Sequence, residues 1–304
     1  MMNERILQDP FLLERLSAEV QETAGGLTGF FRTDTDEFCG SPDWVKKFSQ
    51  KLTQTANITS MTTSTDILCY AMRYQGDWSR IAQAIHSHEP VEPVISRSPW
   101  VTFLDPDYPA CFRKLRYPPW ILFYHGDLSL LDRPCAAVVG SRDATMQALR
   151  NTTAVVNALK ERYVIVSGLA RGVDAQAHRA ALDKGTVGIL GCGIDRVYPR
   201  ENAALFSAMK KNHLVISEYP WQTTPLPGHF PWRNRLIAAA ASVVVVTEAR
   251  EKSGTMYTVD EALSLSVPVW CLPTDFSRKD HCGCNRLIHQ GAGILCDLQQ
   301  VREL

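Results

Sequence analysis

From residue 135 to about residue 300 the apolar positions of this chain do not alternate with polar ones. They gather in six short runs: Ala136-Ala137-Val138-Val139, Val164-Ile165-Val166, Val187-Gly188-Ile189-Leu190, Leu214-Val215-Ile216, Val243-Val244-Val245-Val246 and Val267-Pro268-Val269-Trp270. Each run is followed by a loop rich in glycine or arginine and then by a stretch with helical spacing. Uninterrupted β-branched runs separated by helices are the mark of strands buried on both faces. The pattern predicts an α/β fold with a doubly wound, mostly parallel, Rossmann-like sheet. Trp120-Ile121-Leu122-Phe123-Tyr124 reads as one extra strand before it, ending at Gly126-Asp127.

Upstream the pattern changes. Residues 1 to about 90 read as irregular helix, with a Gly25-Gly26 pair and a polar tract from Thr53 to Thr65. Ile67, Leu68, Ala71 and Met72, followed by Trp78, Ile81, Ala82 and Ile85, predict two short helices broken at Gln75-Gly76-Asp77. Glu89-Pro90-Val91-Glu92-Pro93 then bars any helical continuation. The expected organisation is a smaller helical domain over residues 1–95 and a Rossmann-like domain over residues 96–304.

Composition narrows the function. With 304 residues, 45% apolar and 21% charged, the chain can bury a full core, and its formal net charge is zero. Indiscriminate phosphate binding over the whole surface calls for an excess of Lys and Arg, so an anion site here must be local. Nine cysteines without a small disulfide scaffold, and an N-terminus without a signal-peptide pattern, predict a reducing cytoplasm. No run approaches about 18 consecutive apolar residues, so no membrane partner is expected.

A doubly wound sheet binds ligands outside the carboxyl ends of its strands. Along that edge the sequence sets Arg142, Arg171, Arg196, Arg200, Arg250 and Arg278, each shortly after a strand. A cationic crevice of this kind suits a polyanion. Gly140-Ser141-Arg142 ends the first strand before a helix near Thr145, and Ser167-Gly168-Leu169-Ala170-Arg171-Gly172-Val173-Asp174 repeats the design after the second. Backbone N–H groups at a helix start, a glycine that admits close approach and an arginine fork together make a phosphate seat. Neither the dinucleotide fingerprint nor a Walker lysine is present. Ser253-Gly254-Thr255 opens a further helix as a second anion nest. Phe230-Pro231-Trp232-Arg233-Asn234-Arg235 combines cations with ring faces, as binders of unpaired strands do. The competing structural role for that segment is a helix start whose Arg233 and Arg235 pair with Glu218 and Glu248. His178 is expected to bond locally and order its loop, and Asn202 to cap the helix that follows it.

These motifs, with Ala177-His178, Gly191-Cys192-Gly193, Asp195, Tyr198-Pro199, Ser217-Glu218 and Asn285 with Leu287-Ile288 and Gly291-Ala292, occur in the order seen in the DprA/Smf family of DNA-processing proteins. The chain resembles that family from about Tyr108 to Asp297. The resemblance implies a non-enzymatic protein that binds and protects single-stranded DNA, forms a homodimer and loads the RecA recombinase during natural transformation. It implies a strand-binding site drawn from Gly140, Ser141, Arg142, Gly168, Arg171, Gly172, Phe230, Arg233, Asn234, Arg235, Ser253, Gly254 and Thr255, with no cofactor.

Several positions depart from the family. Thr145-Met146-Gln147-Ala148 stands where Thr-x-Tyr-Gly is usual, and Gln222 and Thr274 replace loop glycines. No C-terminal winged helix follows and no helix-hairpin-helix signature precedes. His281-Cys282-Gly283-Cys284 has Cys-x-Cys spacing, tighter than structural zinc sites use, so packed or solvent-facing thiols are expected there rather than a metal. Two other readings remain open: a nucleotide-processing Rossmann protein related to phosphoribohydrolases, whose glycine pair and catalytic glutamate are not matched around Ser253, and a protein-interaction module with a vestigial crevice.

Overall fold

The computed structural model describes residues 62–275 and 277–304. The expectations for residues 1–61, including the Gly25-Gly26 break, lie outside the described residues. Ser64 to Leu304 form one unit, so the helices anticipated in the smaller domain, α1 (Ser64–Arg73) and α2 (Trp78–Ser87), share it with the sheet. Their break falls where the sequence puts it. Gln75 and Gly76 adopt positive φ, and Asp77 caps α2 by accepting a hydrogen bond from the Arg80 N–H.

The sheet has nine strands: β1 (Trp100–Thr102), β2 (Ile121–Gly126), β3 (Cys135–Val139), β4 (Val164–Ser167), β5 (Thr186–Ile189), β6 (Leu214–Ser217), β7 (Val243–Val246), β8 (Val269–Cys271) and β9 (Gly293–Ile294). Their spatial order is β1-β2-β6-β5-β4-β3-β7-β8-β9. From β6 to β9 all neighbours run parallel, while β2 joins β6, and β1 joins β2, antiparallel. The six expected parallel strands are therefore β3 to β8. β8 begins after Pro268, which has no N–H to give the ladder and serves instead as carbonyl acceptor for the Val244 N–H.

Successive residues of each strand serve opposite faces. Ala137, Val139, Val166, Ile189, Val244 and Val246 join one core with α7 (His229–Ala240) and α8 (Gly254–Ser264). Ala136, Val138, Ile165, Val243 and Val245 join the other with α4 (Met146–Leu159), α5 (Val173–Ala181) and α10 (Leu298–Glu303). The remaining helices are α3 (Ala110–Arg113), α6 (Ala203–Asn212) and α9 (Gly283–His289). The sequence order of the parallel strands reverses between β3 and β7, and a doubly wound sheet opens its crevice at such a point. No helix among the described residues is long and apolar enough to cross a membrane.

Candidate nucleic-acid interface

The loops after β3 and β7 meet at this switch point. The Ser141 N–H donates to the Glu248 carbonyl at 2.8 Å, which holds Gly140-Ser141 against the β7 loop. The Glu248 side chain is buried and accepts from the Thr145 N–H at 3.0 Å and the Thr145 hydroxyl at 2.7 Å. Thr145 in turn accepts from the Ala148 N–H, closing the first turn of α4. Glu248 is thus spent on the backbone of α4, and the arginine partnership considered for it is not made.

Arg142 projects from this turn. It is exposed, and its guanidinium lies over the Phe230 ring, 5.5 Å from the centroid. Phe230 also packs against Tyr198, with centroids 5.3 Å apart and planes tilted by 35°. A cation and ring faces are therefore brought together at the carboxyl edge.

The β4 loop is built into the same turn. Gly172 has φ +69°, and a side chain there would strike the Ser141 carbonyl. The Val173 N–H donates to that carbonyl at 3.1 Å. Asp174 is buried and accepts from the Gly168 N–H at 3.1 Å, and burial raises its carboxyl above the usual range. Leu169 adopts φ +54°, and Asn202 secures this conformation by donating to the carbonyls of Leu169 (2.9 Å) and Ala170 (3.1 Å). Asn202 does occupy the N-cap position of α6, but its side chain makes no cap bond and serves the β4 loop instead. Arg171 points outward to Glu201 at 2.9 Å, both side chains more than half exposed.

The arginines of α7 differ. Arg235 is 3% exposed and forks onto Glu218 through two bonds of 2.6 Å, with Nη1 also donating to the Trp232 carbonyl at 3.0 Å. This is the pairing the sequence offered as the structural role. Arg233 is also 3% exposed, but it faces no carboxylate at hydrogen-bond distance among the described residues. Its Nη1 donates to the carbonyls of Gly168 (2.8 Å) and Ile189, while its Nε has no partner among the described residues. Burial lowers this guanidinium to about 10, against the opposing pull of Asp174. A Cβ on Gly168 would lie 2.5 Å from the Arg233 guanidinium, so this glycine is required by close approach. Both arginines sit inside the protein and neither reaches solvent as a rim contact.

Asn234 is buried and donates to the Gly254 carbonyl at 3.1 Å, tying α7 to the start of α8. Gly254 is exposed, Thr255 is buried, and the Ser253 hydroxyl is buried without a partner among the described residues. Arg250 approaches Asp143 at 3.7 Å, both exposed, and the half-buried Arg278 bonds the exposed Asp280 at 3.2 Å. Arg196 donates to the Gln222 carbonyl at 3.2 Å.

His178 is fully enclosed, bonded through Nδ1 to the Thr186 hydroxyl at 2.7 Å on β5 rather than to its own loop. Burial, reinforced by the Arg233 charge, pushes it down to about 3, so it stays neutral. Gln222 occupies φ +68°, the left-handed region that favours glycine, whereas Thr274 does not. Thr274 is clamped by Asn285, which accepts from its N–H and donates to its carbonyl. Asn202, Asn285 and Thr145 thus position the loops, and no local spacing rule identifies these roles. Among the described residues no group of three or more His, Cys, Asp or Glu could hold a metal ion. Cys284 is buried with its thiol toward the Val246 carbonyl.

The sequence model of the family described as DNA recombination-mediator protein A matches residues 99–304. The chain is 39% identical over 205 residues to the DNA processing protein DprA of Streptococcus pneumoniae, covering 67% of this chain and 73% of that protein. It is 38% identical over 204 residues to the protein Smf of Synechocystis, covering 65% of this chain and 51% of that protein. Its fold is similar to the solved DprA of Streptococcus pneumoniae, with TM-score 0.66, 30% identity and coverage of 84% of this chain and 96% of that one. It is also similar to DNA processing protein A of Helicobacter pylori, whose structure concerns its binding of single-stranded DNA, with TM-score 0.63, 33% identity and coverage of 69% and 97%.

Proposed function

Because this chain belongs to the DNA recombination-mediator protein A family, the DprA/Smf proteins, we propose that it binds single-stranded DNA stoichiometrically along the carboxyl edge of its sheet. The observation that carries this reading is the exposed Arg142 guanidinium stacked over Phe230 at the β3/β7 switch point. A phosphate can take the outward donors of that guanidinium while a base finds a ring beside it, and neither contact depends on base identity. Arg171 and Arg250 extend the positive rim. Their partners Glu201 and Asp143 are solvent-exposed, and ion pairs of that kind contribute at most about 1 kcal/mol, so phosphates can replace them.

Within the set of binding residues, Arg142, Arg171 and Phe230 are assigned contact with the strand. Gly140, Ser141, Gly168, Gly172, Arg233, Asn234 and Arg235 are assigned the frame that holds them, and Ser253, Gly254 and Thr255 a backbone contact at the start of α8. A stoichiometric role is supported by the state of the buried acids, since Asp174 and Glu248 are both engaged by backbone N–H groups. His178, held neutral inside the core, offers no surface base. Transfer of the bound strand to a RecA-type recombinase, and action as a homodimer, rest on the family resemblance.

The test is a titration of a fluorescent oligonucleotide, single-stranded against duplex, at two salt concentrations. The reading expects preference for the single strand and affinity that falls with salt. Equal or absent binding of both forms overturns it.

A further inference from the structure

Tyr198 has no assigned role, yet nearly half of it, 46%, is exposed while its ring packs against Phe230. A single exposed aromatic needs no explanation by itself. Its setting is what distinguishes it. Phe230 is seated close over Gly191, where a Cβ would lie only 2.9 Å from the ring. The helix carrying Phe230 is pinned by Arg233 and Arg235 from within. Tyr198 therefore leans on a fixed support, and Arg142 lies over the same Phe230 ring.

The loop that presents Tyr198 is equally constrained. Asp195 accepts from the Gln222 N–H at 2.7 Å, the Arg196 N–H donates to the Gly193 carbonyl at 2.8 Å, and the Ile194 N–H donates to the Tyr219 carbonyl at 3.3 Å. A ring already held in place loses little freedom when a ligand stacks on it, and tyrosine has only two side-chain torsions to lose.

We propose that Tyr198 is a base-stacking platform, extending the Phe230 ring surface so that one unpaired nucleobase rests on its accessible side while Arg142 holds a neighbouring phosphate. The inference deepens the strand-binding reading and rests on it. It also accounts for a preference for unpaired strands by a route separate from charge: a base in a duplex is already stacked and paired, and exposing it costs a few kcal/mol.

The experiment compares an oligothymidylate with an abasic deoxyribose-phosphate strand of equal length, using the full chain and the variants Tyr198→Leu, Tyr198→Phe and Tyr198→Trp. Tyr198→Leu is expected to weaken oligothymidylate binding about tenfold while leaving abasic binding and the salt slope unchanged. Tyr198→Phe restores affinity, and the indole of Tyr198→Trp is quenched by the oligothymidylate but not by the abasic strand. Equal loss on both strands, or no loss on either, overturns the stacking role while the strand-binding reading survives. Failure of the unaltered protein to bind either strand overturns both.

Discussion

Arg142 and Arg235 are the same residue type in motifs of similar appearance, yet one stands in solvent over an aromatic ring and the other is enclosed on a carboxylate. Arg142 follows a strand on a turn whose backbone is already satisfied by Glu248, so its side chain has nothing to hold. Arg235 lies on the inner side of α7, where Glu218 at the end of β6 meets it as a two-bond fork. Arg233 is a third case, a buried cation that donates to backbone carbonyls of the β4 and β5 ends. The difference teaches that a cluster of arginines in sequence measures charge but not its use. In the proposed site, arginines at one level of the fold meet the strand, and those beneath hold the loops at the right height.

The largest test of this division is Glu218→Ala, which strands the buried Arg235 charge. Unfolding midpoints in urea are expected to report a loss of about 3–5 kcal/mol, and pairing the change with Arg235→Met is expected to recover most of it. A smaller loss for the single variant would move Arg235 from the frame to the rim.

Acid titration probes the enclosure around Arg233. His178 stays neutral down to about 3 in the folded protein, against 6.5 when free. The unfolded chain therefore takes up a proton that the native state refuses, and stability falls as pH drops from about 6.5 toward 3. The limiting slope is about 1.4 kcal/mol per pH unit for one such group. Above that window this contribution is flat. His178→Gln is expected to reduce the slope, with the remainder due in part to His125, His213 and His229, which burial also lowers.

Arg142→Ala is expected to leave stability within about 0.5 kcal/mol while weakening single-strand binding. The slope of log affinity against log salt should shrink by about 0.7, the share of one phosphate contact on a single strand. A melting shift comparable to that of Glu218→Ala would erase the distinction between rim and frame. The smallest effect is expected at Gln222, whose backbone N–H serves Asp195 and whose φ is +68°. Gln222→Gly relieves a left-handed conformation but brings the extra unfolded-chain freedom of glycine, and the net gain of about 0.5 kcal/mol is read as a small rise in the thermal midpoint.

Much of the fold is legible in the chain because its determinants are local. β3 to β8 coincide with short apolar runs that do not alternate with polar residues, and the α1–α2 break with Gln75-Gly76-Asp77. β1 and β9, with three and two residues, carry too little pattern to stand out and exist because a neighbouring strand offers an edge. The same divide runs through the candidate site. Glycine loops and Arg142 are visible as motifs, and the positive φ at Gln222 fits the loss of a glycine there. The fates of Arg233 and Asn202 are not visible, since their partners lie 32 or more positions away at backbone carbonyls that no spacing rule connects.

Asn202 joins two segments that the chain keeps far apart, the end of β4 and the entry to α6. A polymer lying across both therefore meets one stiff lip instead of two independent fingers. Under the proposed strand-binding role, adjustment to the contour of that lip would fall to the bound strand rather than to these two segments.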